Sequence, residues 1–413
     1  VFLSAPMTWP PLGLWYIAAQ LEAQGHYVDF MDMSATNYFP KDGDYDQIWI
    51  SAKSPQIHEI RKIAERTKDW TRTKTVLGGA AVWVNPIKYV DMFNLVVAGE
   101  GDHPNTIQHT IGTAYFGKGI YHPKLYDNLD WVLPPVRRWS DQYKSFMTSQ
   151  DGNTYRMTSM FTTRGCPMSC AFCESGRKGI IWGGKTRYEP MHIVEHQIKE
   201  ILDLGFTGIA YYDDVFILNR RRTLEMLELH KKYGNVPWRC FMRSDILCKH
   251  GGKEYLKQMK DAGLIEIFIG IESADNRIKN NIHKGTTIEQ DTAVVEWCKD
   301  LGITCKTSFI IGLPGESEES IQRTRDWILK VRPNIVQIDR LIPFPGTPLY
   351  DNPEQYDLKY ERIPDEEWFF RGSFDLNTKS FVSTSHLTSE KIDKHWHELE
   401  QMVLDEGLST YYH

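Results

Sequence analysis

The sequence predicts an α/β protein made of two parallel-stranded units in tandem, closed by a small C-terminal cap. Three observations carry that expectation. Short apolar strands alternate with helix-length segments over residues 1–115 and again over 156–346. Glycines fall where the helices of the second run should stop, at Gly205, Gly234, Gly263 and Gly302, each followed within a few residues by an apolar strand. Three cysteines crowd into Cys166-Pro167-Met168-Ser169-Cys170-Ala171-Phe172-Cys173, and no thiol precedes them.

In the first run, residues 1–5, 27–31, 47–51, 75–77 and 95–98 read as strands, and 14–24 as a helix stopped by Gly25. Strands separated by helix-length segments imply a parallel, Rossmann-like sheet. Such sheets bind ligands at the carboxyl ends of their strands. Those ends are residues 6–13, 51–55, Gly78-Gly79 and Gly99-Glu100-Gly101. Glycine there permits close backbone approach to a ligand, although the same glycines could simply make turns. Residues 116–155, with Leu133-Pro134-Pro135 and no sustained period, read as a linker.

In the second run the strands are 157–162, 208–212, 238–242, 266–270, 306–311 and 336–341. The helix before Gly205 carries Val194, Ile198 and Ile201 as an inward stripe. Six parallel strands with intervening helices predict a partial (β/α)6 barrel whose working residues sit at the C-terminal strand ends. Asp213-Asp214 follows the second strand, and adjacent carboxylates need cations or donors, or else cap the helix that begins near the arginines at 220–222. Arg243 follows the third and suits a bidentate fork on a carboxylate, or a structural ion pair. Glu272 closes an apolar fourth strand, where packing gives no reason for a charge, and Lys284-Gly285 lies downstream. Ser308 and Gly312 punctuate the fifth, and residues 343–348 make a rigid proline turn after the sixth. Residues 347–413 are charged and aromatic, with a helix expected from 389 to about 404; they read as a substrate-selecting cap.

The cysteine run is the strongest chemical signal. Soft thiolates at this density suit an iron–sulfur cluster. Core thiols and a zinc site completed by a histidine are the competing readings, but no second C-x-x-C half follows. Cys240, Cys248, Cys298 and Cys305 are loosely spaced and read as core thiols.

The run Thr162-Thr163-Arg164-Gly165-Cys166 followed by Cys170-Ala171-Phe172-Cys173 resembles the cluster motif of radical S-adenosylmethionine (SAM) enzymes. Leu77-Gly78-Gly79 and Val97-Ala98-Gly99-Glu100-Gly101 upstream resemble the cobalamin-binding domain of the B12-dependent subclass. The resemblance implies a [4Fe-4S] cluster on Cys166, Cys170 and Cys173, with the fourth iron open to chelate SAM. It implies SAM contacts from Phe172, Asp213, Arg243, Glu272, Ser308 and Gly312, with adenine on the Gly312 strand. It implies cobalamin contacts from Pro11, Leu12, Ser51, Gly78, Gly79, Gly99 and Glu100. The D-x-H-x-x-G motif is absent, and His58 lacks its Asp and Gly, so no protein histidine is expected on cobalt. The implied activity is methylation of an unactivated carbon through a 5′-deoxyadenosyl radical and methylcobalamin. The alternative is a radical cyclisation, rearrangement or oxidation in which cobalamin gives no methyl or is absent. No individual catalytic side chain is legible.

Composition bounds the partners. A balance of 48 basic against 54 acidic residues argues against a chain dominated by nucleic-acid backbone contacts, while leaving room for a local basic groove. No apolar run reaches the length of a membrane span, and the opening residues read as a strand rather than a leader. Seven cysteines, an odd number, fit a reducing cytoplasm. A small-molecule or peptide substrate is expected, with an electron donor such as flavodoxin or ferredoxin.

Overall fold

The computed structural model describes residues 2–4, 9–33, 38–51, 56–115, 117–143, 145–176, 184–361 and 379–410. Parts of two expected ligand-binding strand ends, residues 6–8 and 52–55, lie outside the described residues. The chain divides into two compact units. One comprises Val1–Ser145 with Arg187–Gly205, the other Phe146–Thr186 with Phe206–His413.

The first unit holds a six-stranded sheet: β1 (Phe2–Ser4), β2 (Phe30–Asp32), β3 (Gln47–Ser51), β4 (Lys74–Gly78), β5 (Leu95–Val97) and β6 (Ile120–Tyr121). Its order is β2-β1-β3-β4-β5-β6, all parallel. The order reverses between β1 and β3, and doubly wound sheets bind ligands at such a switch point. Ile48 and Ile50 of β3, Leu77 of β4 and Val96 of β5 share a core with Ile60, Ile63 and Ala64 of helix Ile57–Thr67. That helix carries an i, i+3, i+4 apolar stripe and exposes Arg61, Lys62 and Glu65 opposite.

Three expectations change here. Residues 120–121, within the expected linker, pair with β5 as a sixth strand. The first helix begins at Leu12 rather than 14, because the Pro11 carbonyl already accepts from Leu14 and Trp15. Helix Met191–Asp203, read as part of the barrel, belongs to the first unit. There a buried network, Tyr16 to Glu189 at 2.7 Å and Gln197 to Glu189 at 2.8 Å, ties its approach and its second turn.

The second unit is a curled partial barrel of eight strands. They are β7 (Ser145–Thr148), β8 (Thr154–Met160), β9 (Gly208–Tyr211), β10 (Trp238–Met242), β11 (Leu264–Glu272), β12 (Thr304–Ile311), β13 (Ile335–Arg340) and β14 (Ser409–Thr410), in that spatial order. From β8 to β14 every pairing is parallel. Strand alternation separates two faces. Trp238, Cys240 and Met242, then Ile265, Ile267, Ile269 and Ile271, are buried. Arg239, Phe241, Phe268 and Gly270 on the opposite face are half-exposed. Gly205, Gly234, Gly263 and Gly302 all have positive φ, from +62° to +98°, as helix stops require. Helix Ser389–Asp405 buries Ile392, Trp396, Leu399 and Val403, and the Trp396 indole donates to the Ile338 carbonyl of β13. No helix among the described residues is long and apolar enough to cross a membrane.

Candidate active site

The cysteine loop leaves the carboxyl end of β8 and is tied down along its length. Asp213, fully buried, accepts from the Thr162 amide at 2.6 Å, the Thr162 hydroxyl at 2.5 Å and the Thr163 amide at 3.0 Å. Asp214 accepts from the Gly165 amide at 3.2 Å. Farther along, the Ala171 amide donates to the Ile282 carbonyl and the Leu349 amide to the Ala171 carbonyl. A Cβ on Gly176 would stand 2.8 Å from the Met168 carbonyl oxygen, so only glycine lets the loop close on itself. The sequence leads to an expected SAM contact for Asp213; in the fold its oxygens accept from the root of the loop. Helix capping fails, since Asn219 caps helix Arg220–Lys232.

Cys166 and Cys170 are buried and Cys173 is half-buried. Burial pushes the Cys166 thiol up to about 11 and the Cys173 thiol up to about 12. Thiols so placed ionise readily only when a metal takes the sulfur. No group of three or more His, Cys, Asp or Glu among the described residues could hold a single metal ion. A cubane does not require one, because each thiolate ligates its own iron. The donor set therefore fits the cluster.

Arg243, 6% exposed, stands beside the loop. Its Nε and Nη2 fork onto Asp245 at 3.0 and 3.1 Å, Nη2 also donates to the Lys284 carbonyl, and Nη1 points to Cys170 Sγ at 3.5 Å. The expected fork on a SAM carboxylate is thus occupied by Asp245. Glu272 ends β11 with φ +67°, beyond a register shift at Gly270. A buried carboxylate in left-handed backbone is strained, and such strain concentrates at functional sites. Lys284 Nζ pairs with Glu272 at 2.7 Å and lies 5.8 Å from the Phe172 ring centroid. A Cβ on Gly270 would fall 2.2 Å from Glu272 Oε1 and 2.8 Å from Lys284 Nζ, which gives this glycine its reason. Phe172, Arg243, Glu272 and the cysteines are therefore gathered through the turn at 282–285.

Gly312 follows β12 with φ +96°, and its amide donates to Glu316 Oε2 at 2.6 Å. Burial raises Glu316 to about 8. Ser308 lies mid-strand, in register with Gly270 and Gln337. The face it shares carries Tyr212, Phe241 and Phe268, with ring centroids 5.6 and 5.2 Å apart, the Arg239–Glu266 pair at 3.1 Å, and Lys306 Nζ 4.7 Å from the Phe268 centroid. Full barrels fill this face with bulky branched residues. Here it is aromatic and charged, with its three rings and Arg239 half-exposed, the character of a ligand surface.

In the first unit, Ser51 and Gly78 are register partners at the carboxyl edge, and Ser4 aligns with Ser51. Gly79, φ +96°, opens helix Ala80–Val84. Pro11 and Leu12 are buried at the start of their helix. Gly99 and Glu100 both have partners within the unit. A Cβ on Gly99 would strike Pro123 at 2.8 Å, so the glycine serves internal packing. Glu100 is buried and held in a fork by Arg187 at 2.7 and 3.0 Å. Ser51, Gly78 and Gly79 thus lie together along the carboxyl edge of the sheet, where parallel sheets take ligands.

A family model described as the radical SAM superfamily matches residues 160–328, and one described as the B12 binding domain matches residues 1–107. The chain belongs to the radical SAM enzymes that carry a B12-binding domain. An uncharacterized methyltransferase of Pyrococcus horikoshii is 27% identical over 94% of this radical SAM chain and 86% of its own. An anaerobic magnesium-protoporphyrin IX monomethyl ester cyclase of Rubrivivax gelatinosus is 26% identical over 85% of this chain and 68% of its own. Among solved structures, the radical SAM methyltransferase TsrM of Kitasatospora setae, with cobalamin and a [4Fe-4S] cluster bound, superposes with a TM-score of 0.71 at 15% identity, covering 96% and 90% of the two chains. That likeness speaks for the fold. Sequence reasoning on this radical SAM enzyme missed Arg187, whose partner Glu100 lies 87 residues away and meets it only once the chain is folded.

Proposed function

We propose that this enzyme transfers a methyl group to an unactivated carbon of a small molecule. The observation that carries the reading is the match, over 94% of this chain and 86% of the relative, to an uncharacterized methyltransferase, spanning both the B12-binding and radical SAM segments. When bound, a [4Fe-4S] cluster on Cys166, Cys170 and Cys173 would supply the electron that cleaves SAM, and cobalamin would carry the methyl group. The chain's own residues hold and orient. Asp213 and Asp214 fix the loop, while Lys284 and Glu272 offer a paired ammonium and carboxylate beside it. Tyr212, Phe241 and Phe268 give the substrate an aromatic wall, and Arg239, Glu266 and Lys306 give its polar groups partners.

The cyclase relative supports a second reading, radical ring closure without methyl transfer. Isotope separates the two. Enzyme reconstituted with iron, sulfide and hydroxocobalamin, reduced by flavodoxin or a chemical donor, is supplied with methyl-labelled SAM and a metabolite extract. Label in a new carbon-bound methyl supports methylation. Formation of 5′-deoxyadenosine with no labelled product supports the cyclase-type alternative.

A further inference from the structure

We propose that Arg243 sets the reduction potential of the cluster by donating a hydrogen bond to the sulfur of Cys170. The inference rests on the cluster assignment to Cys166, Cys170 and Cys173. Its basis is the way the guanidinium is used up. One edge, Nε with Nη2, forks onto Asp245. The remaining Nη2 donor goes to the Lys284 carbonyl. Only Nη1 is left, and it faces Cys170 Sγ at 3.5 Å, the reach of an N–H···S bond. A carboxylate fork needs two parallel N–H groups, and Arg243 no longer has two to give.

Electrostatics point the same way. Arg243 is 6% and Lys284 8% exposed, so neither charge is screened by bulk water. Each is paired, Arg243 with Asp245 and Lys284 with Glu272, and both cations interact directly with Cys170. The Arg243–Asp245 pair acts as a dipole with its positive end toward the sulfur, and the Lys284 ammonium adds to the positive potential there. Hydrogen bonds and positive potential at a thiolate ligand favour the added electron, since reduction increases the negative charge spread over cluster and sulfurs. The Ala171 to Ile282 bond and the Arg243 to Lys284 bond together keep turn and loop in register, so the donor stays aimed. Arg243 is a positioning and tuning residue, not one that handles substrate.

The test is a redox titration followed by electron paramagnetic resonance on reconstituted, SAM-free protein, native and Arg243→Met. The native protein must first hold about four irons per chain; without them the cluster assignment itself fails, separately from this inference. Arg243→Met is expected to lower the reduced-to-oxidised ratio about tenfold at the native midpoint, a shift of about 59 mV to more negative potential. Arg243→Lys keeps the charge but cannot hold Asp245 and the sulfur together, so it should shift the same way by less. If Arg243→Met does not retain iron, Arg243→Lys decides. An unchanged midpoint with weakened SAM binding would overturn the proposal and return Arg243 to the SAM carboxylate.

Discussion

Both units of this enzyme present the carboxyl ends of parallel strands, yet they use them differently. In the barrel the strand-end side chains pair with one another and face the cysteine loop. Glu272 is held at φ +67° against Lys284, and Arg243 is aimed at Cys170. In the first unit the strand-end side chains turn inward. Glu100 is clamped by Arg187, and Gly99 makes room for Pro123. Among the described residues, Ser51, Gly78 and Gly79 line the carboxyl edge of that sheet. A cluster and a small zwitterion demand particular donors at particular atoms. A large cofactor laid along a sheet edge demands mainly an absence of obstruction. The difference explains why the barrel announces itself in residues and the first unit in glycines.

The sharpest way to break this comparison is at the cysteines. Replacing any one of Cys166, Cys170 or Cys173 by Ala should abolish 5′-deoxyadenosine formation and reduce bound iron several-fold, while cobalamin retention by the first unit persists. Iron and cobalamin assays on the same sample read both. Next in size is Glu272→Gln. It strands Lys284 as a buried unpaired charge, at a cost of about 3–5 kcal/mol, measurable as a fall in the denaturant midpoint. Weaker SAM binding should accompany it. In the first unit, Glu100→Gln is expected to cost about 3 kcal/mol by loosening Arg187, without loss of cobalamin affinity once the protein is folded. Cobalamin loss at unchanged stability would return Glu100 to the cofactor.

The smallest effect is a pH slope. Burial raises Glu316 from 4.5 to about 8. A carboxyl raised in this way contributes stability that is complete below its unfolded pKa and is lost as pH climbs through the folded value. Stability should therefore decline from about pH 4.5 to about 8. Glu316→Gln should flatten that decline by on the order of 1–3 kcal/mol, read from urea midpoints across the range.

Local pattern carried the strands of both sheets, the glycine helix stops and the cysteine loop into view. Gly302, for example, follows an apolar-periodic helix and takes φ +62° where only a left-handed stop fits. What local pattern could not carry is pairing across the chain. Glu100 finds Arg187 at 87 residues' distance, and Asp213 reaches back 51 residues to Thr162. The register shift that turns Glu272 into left-handed backbone arises between two strands, so neither strand's sequence displays it. Ile120–Tyr121 is too short to show alternation and becomes a strand only because β5 leaves an edge to pair. The strand-end charges are legible in the sequence, but their partners are tertiary facts.

The most direct measurement is anaerobic reconstitution with iron, sulfide and hydroxocobalamin, followed by removal of unbound cofactor and assay of both. The account predicts about four irons and about one cobalamin per native chain. It also predicts that the Cys166→Ala, Cys170→Ala, Cys173→Ala triple variant keeps the cobalamin and loses the iron. Four irons in the triple variant, or cobalamin lost together with them, would contradict two independently built sites.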